Sequence, residues 1–196
     1  GEVLLKPDNM DDYLRQSAEA LASIHQVEAA DFPWKHYRYK GVHDLKIPSW
    51  SAFPDKWQAI IDILKSPEPK AQTVFIHRDY HMTNFLWLEG RLSGVVDWIN
   101  ACLGYAGPDI GHMRVNLAQL YGIEISDKFL HAYQVANPDF DYDSYWDMVA
   151  IGDTTLYDDK APSIYQPWVD FGIKGLTDNL MLERAEAYAS HILKHF

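Results

Sequence analysis

Three polar side chains stand at a spacing that suits phosphoryl transfer. The run His77-Arg78-Asp79-Tyr80-His81-Met82-Thr83-Asn84 sets an amide five residues after a carboxylate, and Asp97 follows Leu92-Ser93-Gly94-Val95-Val96, thirteen residues after Asn84. That chemistry needs one carboxylate beside the attacking hydroxyl and hard oxygen ligands for the magnesium ions that bridge the phosphates. Asp79 suits the first task; Asn84 and Asp97 suit the second. Each has a plainer reading: Asp79 as a surface-loop acid, Asn84 as a turn residue, Asp97 as a cap on a hairpin. Placement favours the chemistry, because an H-x-D-x-x-x-x-N loop between two β-like runs, with an acid closing the second, is far more specific than the loop alone.

A competing chemistry uses the same segment. His77 and His81 flank Asp79, and imidazoles with a carboxylate ligate zinc or iron, as in a metal-dependent hydrolase. This reading lacks clear third and fourth ligands; His112 and His43 are candidates only if the fold brings them near. The preferred assignment is His77 as a buried residue that pins the loop and His81 as a hydrogen-bonding residue near the phosphates.

The elements that must hold these residues are legible in the periodicity. Asp8-Asn9 offers an N-cap, and Leu14, Ala18, Leu21 and His25 recur at helical spacing over about 9–27. Residues 30–50 carry Pro33, Gly41 and Pro48 among Trp34, Tyr37 and Tyr39 and read as a loop. A second helix opens at Ser51-Ala52-Phe53-Pro54, runs to about Lys65, and stops at Ser66-Pro67-Glu68-Pro69. Residues 73–76 form a short buried strand, and 85–88 with 92–96 form a hairpin across Glu89-Gly90. Further helices begin at Asp109 and end at Gly122, and span 126–136 and 143–157 with Ser126 and Asp143 as caps. A last helix runs from Thr177 or Asp178 to about Leu193. The expected fold is mainly α with one small antiparallel β-hairpin, without internal repeats or low-complexity tracts.

These motifs resemble the aminoglycoside phosphotransferase and choline kinase-like family, whose pattern is an H-G-D-x-H-x-x-N loop, a strand ending I-D-W or V-D-W, and a Gly-Pro-x-x-D-like helix opening. Here they are His77 to Asn84, Val95-Val96-Asp97-Trp98, and Gly104-Tyr105-Ala106-Gly107-Pro108-Asp109-Ile110-Gly111-His112, within residues 73–118. The resemblance implies the C-terminal lobe of a protein-kinase-like fold that phosphorylates a small-molecule hydroxyl with ATP and Mg2+. Asp79 is then the catalytic base, Asn84 and Asp97 are the magnesium ligands, and Asp109 is a buried carboxylate bracing the loop. Two departures stand out. Arg78 occupies a position where the small-molecule kinases usually carry a small residue, and Trp98-Ile99 follows Asp97 where protein kinases have Phe-Gly. The second departure favours the small-molecule branch.

A kinase of this kind also needs an ATP-covering loop and a strand lysine. The chain starts at Gly1, its next glycine is Gly41, and Lys6, beside Pro7, is the only lysine before Lys35. Residues 1–196 are therefore expected to form a single C-terminal lobe, with the N-terminal ATP lobe absent and ATP turnover by the isolated chain poor. The metal-ligating and loop residues sit within 73–98. A non-catalytic, kinase-like binding module is the alternative.

Composition narrows the partners. A net charge of −11 argues against nucleic acid and favours a cationic acceptor, such as an amino sugar or a choline-like amine, although acidity also serves solubility alone. One cysteine, Cys102, excludes an internal disulfide and fits a reducing cytoplasm. No apolar run approaches the roughly 18 residues of a membrane span. Seven Trp and twelve Tyr belong mostly to the core. For the acceptor, Asp153, Asp158, Asp159 and Asp170 offer an anionic wall, and Tyr165 and Trp168 offer aromatic faces. The plainer reading of those acids is solvated helix ends.

Overall fold

In the computed structural model, which describes residues 1–38 and 40–196, helix α1 (Met10–His25) starts where Asn9 accepts a hydrogen bond from the Asp12 N–H through its side chain. Tyr39, read above as part of a loop, lies outside the described residues. Helix α2 (Pro54–Leu64) opens on its proline, whose missing N–H costs nothing in a first turn. Strand β1 (Val74–Ile76) precedes the catalytic-type loop; β2 (Phe85–Leu88) and β3 (Arg91–Val95) follow it, joined at Glu89 and Gly90. Both turn residues have positive φ, 50° and 75°, the twist a two-residue hairpin needs.

The expected hairpin is present as β2 and β3, and the structure adds a second small sheet. A fourth strand, β4 (Cys102–Gly104), pairs antiparallel with β1, giving two separate two-stranded sheets. Three residues are too few to show an alternating pattern, and the pairing joins segments distant in sequence. Each sheet gains a further rung: Glu2 exchanges both backbone hydrogen bonds with Trp87 at 2.8 Å, and the segment at Lys35 runs parallel to Leu103. The second rung requires a glycine, since a Cβ on Gly104 would stand 2.7 Å from the His36 Cβ.

Helix α3 (Gly107–Tyr121) is followed by α4 (Ile123–Ala136), α5 (Tyr145–Thr155), a short α6 (Gln166–Asp170) and α7 (Asp178–Ile192). Two helix starts shift. Helix α3 starts at Gly107, two residues before Asp109, because Pro108 fits its first turn. Helix α4 starts at Ile123, so Ser126 is a buried residue inside it and caps nothing; Gly122, at φ 101°, ends one helix and begins the next. Asp143 does accept from the Tyr145 N–H, at 2.8 Å, just ahead of α5. Helix α6 went unread because its five residues carry too little periodicity.

The apolar residues form two cores. One gathers Leu14 and Leu21 of α1, Tyr80, Met82 and Phe85 of the loop and β2, and Phe129 and Tyr133 of α4. The other gathers Trp57 and Ile61 of α2, Trp146 and Ile151 of α5, and Tyr188 and Ile192 of α7. Helix α3 serves both, with Ile110, Met113 and Leu117 in the first and Val115 and Ala118 in the second. A helix buried on most of its circumference, it acts as the axle of the molecule. Its approach to α5 is close enough that a Cβ on Gly111 would lie 2.4 Å from the Trp146 carbonyl oxygen. Each fully buried Leu or Ile contributes about 1.5–3 kcal/mol, so the loop carrying Asp79 is anchored from below by Tyr80 and Met82, both 0% exposed. No helix among the described residues is long and apolar enough to cross a membrane.

Candidate active site

The loop between β1 and β2 is held by one carboxylate. Asp109, 0% exposed on α3, accepts the His77 N–H at 2.8 Å on Oδ2 and the Arg78 N–H at 2.5 Å on Oδ1. Oδ2 also meets His25 Nε2 at 3.1 Å, and His25 Nδ1 lies 2.6 Å from the Tyr133 hydroxyl. The sequence singled out Asp109 but neither His25 nor Tyr133; nothing local marks residues whose partner lies more than eighty positions away.

Two consecutive N–H groups converge on one carboxylate because Arg78 has φ 71°. A side chain in that region carries strain of roughly 1–2 kcal/mol, the physical reason a glycine would suit this position. The Arg78 guanidinium donates to the Tyr37 carbonyl and lies 4.8 Å above the Tyr37 ring.

His77 joins the loop to the strand end. Its Nδ1 accepts the Asp79 N–H at 3.3 Å and its Nε2 meets the Val96 carbonyl at 2.8 Å, which requires the tautomer with the proton on Nε2. Val96 in turn donates its N–H to the Asn84 carbonyl at 2.9 Å. The residue before Asp97 is thus clamped between both ends of the loop. Asp97 itself is exposed, with φ 64°, at the start of a single turn over Trp98–Asn100. Burial, followed by the charges of Asp79 and Asp97, pushes the Tyr165 phenol up.

Asn84 is 8% exposed, and its Nδ2 donates to the Asp79 carbonyl at 2.8 Å, with Asp79 Oδ2 at 3.4 Å. With Nδ2 engaged inside the loop, the Asn84 amide presents its oxygen as the atom for a cation. An amide oxygen and an exposed carboxylate are hard donors of the kind magnesium takes.

Asp79 is flanked by imidazoles. His112 Nε2 lies 3.2 Å from its Oδ1 and His81 Nε2 lies 3.5 Å from the same oxygen. Burial pushes the Asp79 carboxyl up, but hydrogen bonds from His112 and His81, and then their charge, outweigh it and hold the group well below the usual carboxylate range. His112 stands one helical turn after Asp109, so α3 places one residue behind the loop and the other against its carboxylate. That i, i+3 spacing was the readable signal; the contact itself needed the fold. His43, on an exposed turn at Val42–Asp44, is not in this cluster.

The acceptor-side residues scatter. Tyr165 is 43% exposed, its ring centroid 6.2 Å from that of His81. Trp168 offers no face to a ligand: it is 0% exposed, because α6 turns its ring into the first core. Asp153, on α5, lies within electrostatic reach of Arg38, Lys40, His112 and Arg78. Asp158 sits 3.6 Å from Lys40, Asp159 accepts the Ser49 N–H at 2.6 Å, and Asp170 accepts from Gln166 at 2.8 Å. Asp153 and Asp158 thus share Lys40 as a neighbour, while Asp159 and Asp170 are each taken up by another partner.

Comparison with known proteins agrees with this geometry. The sequence profile of the Phosphotransferase enzyme family matches residues 1–145. An N-acetylmuramate/N-acetylglucosamine kinase from Caulobacter vibrioides is 27% identical over 115 residues, 52% of this chain and 32% of that protein. Among solved structures, a macrolide 2'-phosphotransferase type I superposes with a TM-score of 0.55 at 18% identity, covering 95% of this chain and 60% of the other. A choline/ethanolamine kinase family protein from Mesorhizobium loti superposes at 0.51 with 15% identity, covering 93% and 62%. The mainly α fold is that of these kinases. The chain spans about a third of the curated relative and about three fifths of the structural ones.

Proposed function

We propose, from the premise that this chain belongs to the phosphotransferase enzyme family, that it carries the catalytic lobe of an ATP-dependent O-phosphotransferase acting on a small-molecule hydroxyl. The observation that carries this is the clamp on Val96, bonded to Asn84 on one side and His77 on the other, which sets Asp97 beside the loop that holds Asp79. Asn84 and Asp97 are the residues that would hold magnesium, which when bound neutralises charge on the transferring phosphoryl group. Asp79, kept ionised by His112 and His81, is a weak base; it aligns the acceptor hydroxyl and takes its proton late. Asp109 and His77 keep the loop in place, so rate enhancement rests on positioning and charge neutralisation.

For the acceptor, the names of the relatives span amino sugars, macrolides and choline or ethanolamine. The −11 charge and the position of Tyr165 beside His81 support an amine-bearing or sugar acceptor stacked on that ring. The ATP lobe is read as lying outside these 196 residues, which fits the partial coverage of the kinases.

The test follows ATP consumption with magnesium against a panel of hydroxylated amines, sugars and antibiotics. It uses the chain alone and the chain joined to an ATP-binding lobe. Acceptor-stimulated turnover by the joined protein, reduced about 10²–10⁴-fold by Asp79→Ala, is expected, together with loss of magnesium-dependent nucleotide binding in Asp97→Ala. Robust phosphorylation by the chain alone would overturn the lobe assignment. Nucleotide binding without turnover on any acceptor would favour a binding module.

A further inference from the structure

The geometry points to a second metal site, distinct from the magnesium pair: Asp79, His81 and His112 form a three-ligand centre for a transition-metal ion of the zinc class, open to solvent. The inference does not depend on the phosphotransferase reading, since it concerns an ion bound in the absence of nucleotide.

One ligand atom from each of the three residues lies within 4.8 Å of the others. In a tetrahedral zinc centre with bonds of about 2.0–2.1 Å, neighbouring donors stand roughly 3.3 Å apart. The two edges that meet at Asp79 Oδ1 measure 3.2 Å to His112 Nε2 and 3.5 Å to His81 Nε2 and bracket that value, while the edge between the two histidines is within 4.8 Å. Two imidazoles and one carboxylate suit zinc, cobalt or iron and are a poor choice for magnesium, which prefers oxygen throughout.

The surroundings resemble a metal centre's. Metal-bound imidazoles are aimed by a hydrogen bond at the other ring nitrogen. His81 has one: its Nδ1 lies 3.1 Å from Thr83 Oγ1, which can accept the Nδ1 proton and leave the Nε2 lone pair facing Asp79. His81 is itself buried at 8% side-chain exposure, whereas Asp79 and His112 are 30% and 33% exposed, so an ion has an entry path and keeps an open coordination position. Asn116 Nδ2 donates to the His112 main-chain carbonyl at 2.8 Å and lies 3.4 Å from His112 Nε2, a contact that an ion on that nitrogen replaces. His77 is excluded, because both of its ring nitrogens are engaged with the backbone of Asp79 and Val96. An ion on Asp79 Oδ1 and an acceptor hydroxyl on the same oxygen exclude one another, so occupation of this site blocks the group that the proposed transfer needs.

The test uses the metal-stripped 196-residue chain, Zn2+ alone titrated against a chromophoric chelator, and Co2+ as a spectroscopic probe. One tight equivalent per chain is expected, with the intense visible absorption of four- or five-coordinate Co2+. His112→Ala should weaken it on the order of 100-fold. Circular dichroism should show this variant folded. His191→Ala is the control, because His191 and His195 form a separate pair with ring centroids 4.9 Å apart. Binding unchanged in His112→Ala, binding lost in His191→Ala, no tight equivalent in the wild-type chain, or the weak spectrum of octahedral Co2+ would each overturn the site.

Discussion

Two buried aspartates on adjacent helices perform opposite tasks. Asp147 on α5 is 2% exposed, and its Oδ1 receives Arg114 Nε at 2.9 Å and the hydroxyls of Tyr142 and Tyr188, both at 2.8 Å. Every partner is a side chain, one is a full charge, and together they tie α3, α5 and α7 into the second core. Asp109 on α3 is 0% exposed, yet its partners are two main-chain N–H groups and His25. It binds a loop that would otherwise have no regular structure. The first aspartate holds helices that apolar packing already brings together. The second imposes a backbone shape that packing alone does not specify, including the strained φ of Arg78.

The difference can be broken by experiment. Asp147→Asn leaves the buried Arg114 guanidinium with only the half-exposed Asp127, 3.2 Å away, as a carboxylate partner, so a global loss toward the lower end of about 3–5 kcal/mol is expected in denaturant unfolding. Hydrogen exchange should quicken across α3, α5 and α7 together. A loss under 1 kcal/mol would show that the pair is expendable. Asp109→Asn withdraws half of an acceptor from neutral N–H donors, so about 1–3 kcal/mol is expected. Here faster exchange should concentrate at the amides of His77 and Arg78, with α5 and α7 protected as before. If exchange rose everywhere, the two aspartates would be equivalent and the comparison would fail.

The smallest effect concerns pH. His36 packs at the loop side, where burial, followed by the charges of Arg78 and Arg38, pushes its imidazole down to about 4. An unfolded histidine titrates near 6.5. Between those values the unfolded chain binds more protons, so this contribution is complete above about pH 6.5 and is lost as pH falls toward 4. The share attributable to His36 should be on the order of 1–2 kcal/mol after solvent screening. Unfolding at pH 4.5 and pH 7 should therefore differ less in His36→Gln than in the wild-type chain. An identical pH dependence would remove the loop-side cluster as its source.

Much of this was legible in one dimension. Helices α1 and α7 carried their caps, α2 its opening proline, and all three their periodic apolar faces: Thr177, for example, accepts the Leu180 N–H as a capping residue does. The hairpin announced itself through Glu89-Gly90, and the loop from His77 to Asn84 through its polar spacing. Strand β4 and helix α6 stayed hidden because three and five residues carry no measurable period. Trp168 looked like a ligand face because aromatic character does not reveal which way a ring turns; burial in the first core decided that.

By itself, the order of residues determined the helical class and the three polar groups suited to phosphoryl transfer, since each depends on local spacing; the carboxylate behind the loop was implied only by the family resemblance, and its bonds span more than thirty positions. Tertiary structure alone decided that His112 would lie against Asp79, that His25 and Tyr133 would stand behind Asp109, and that Val96 would be clamped between His77 and Asn84. Those contacts join residues far apart in the chain, and they form only when α1, α3 and α4 close around the first core, a cooperative burial of apolar surface that no local pattern encodes.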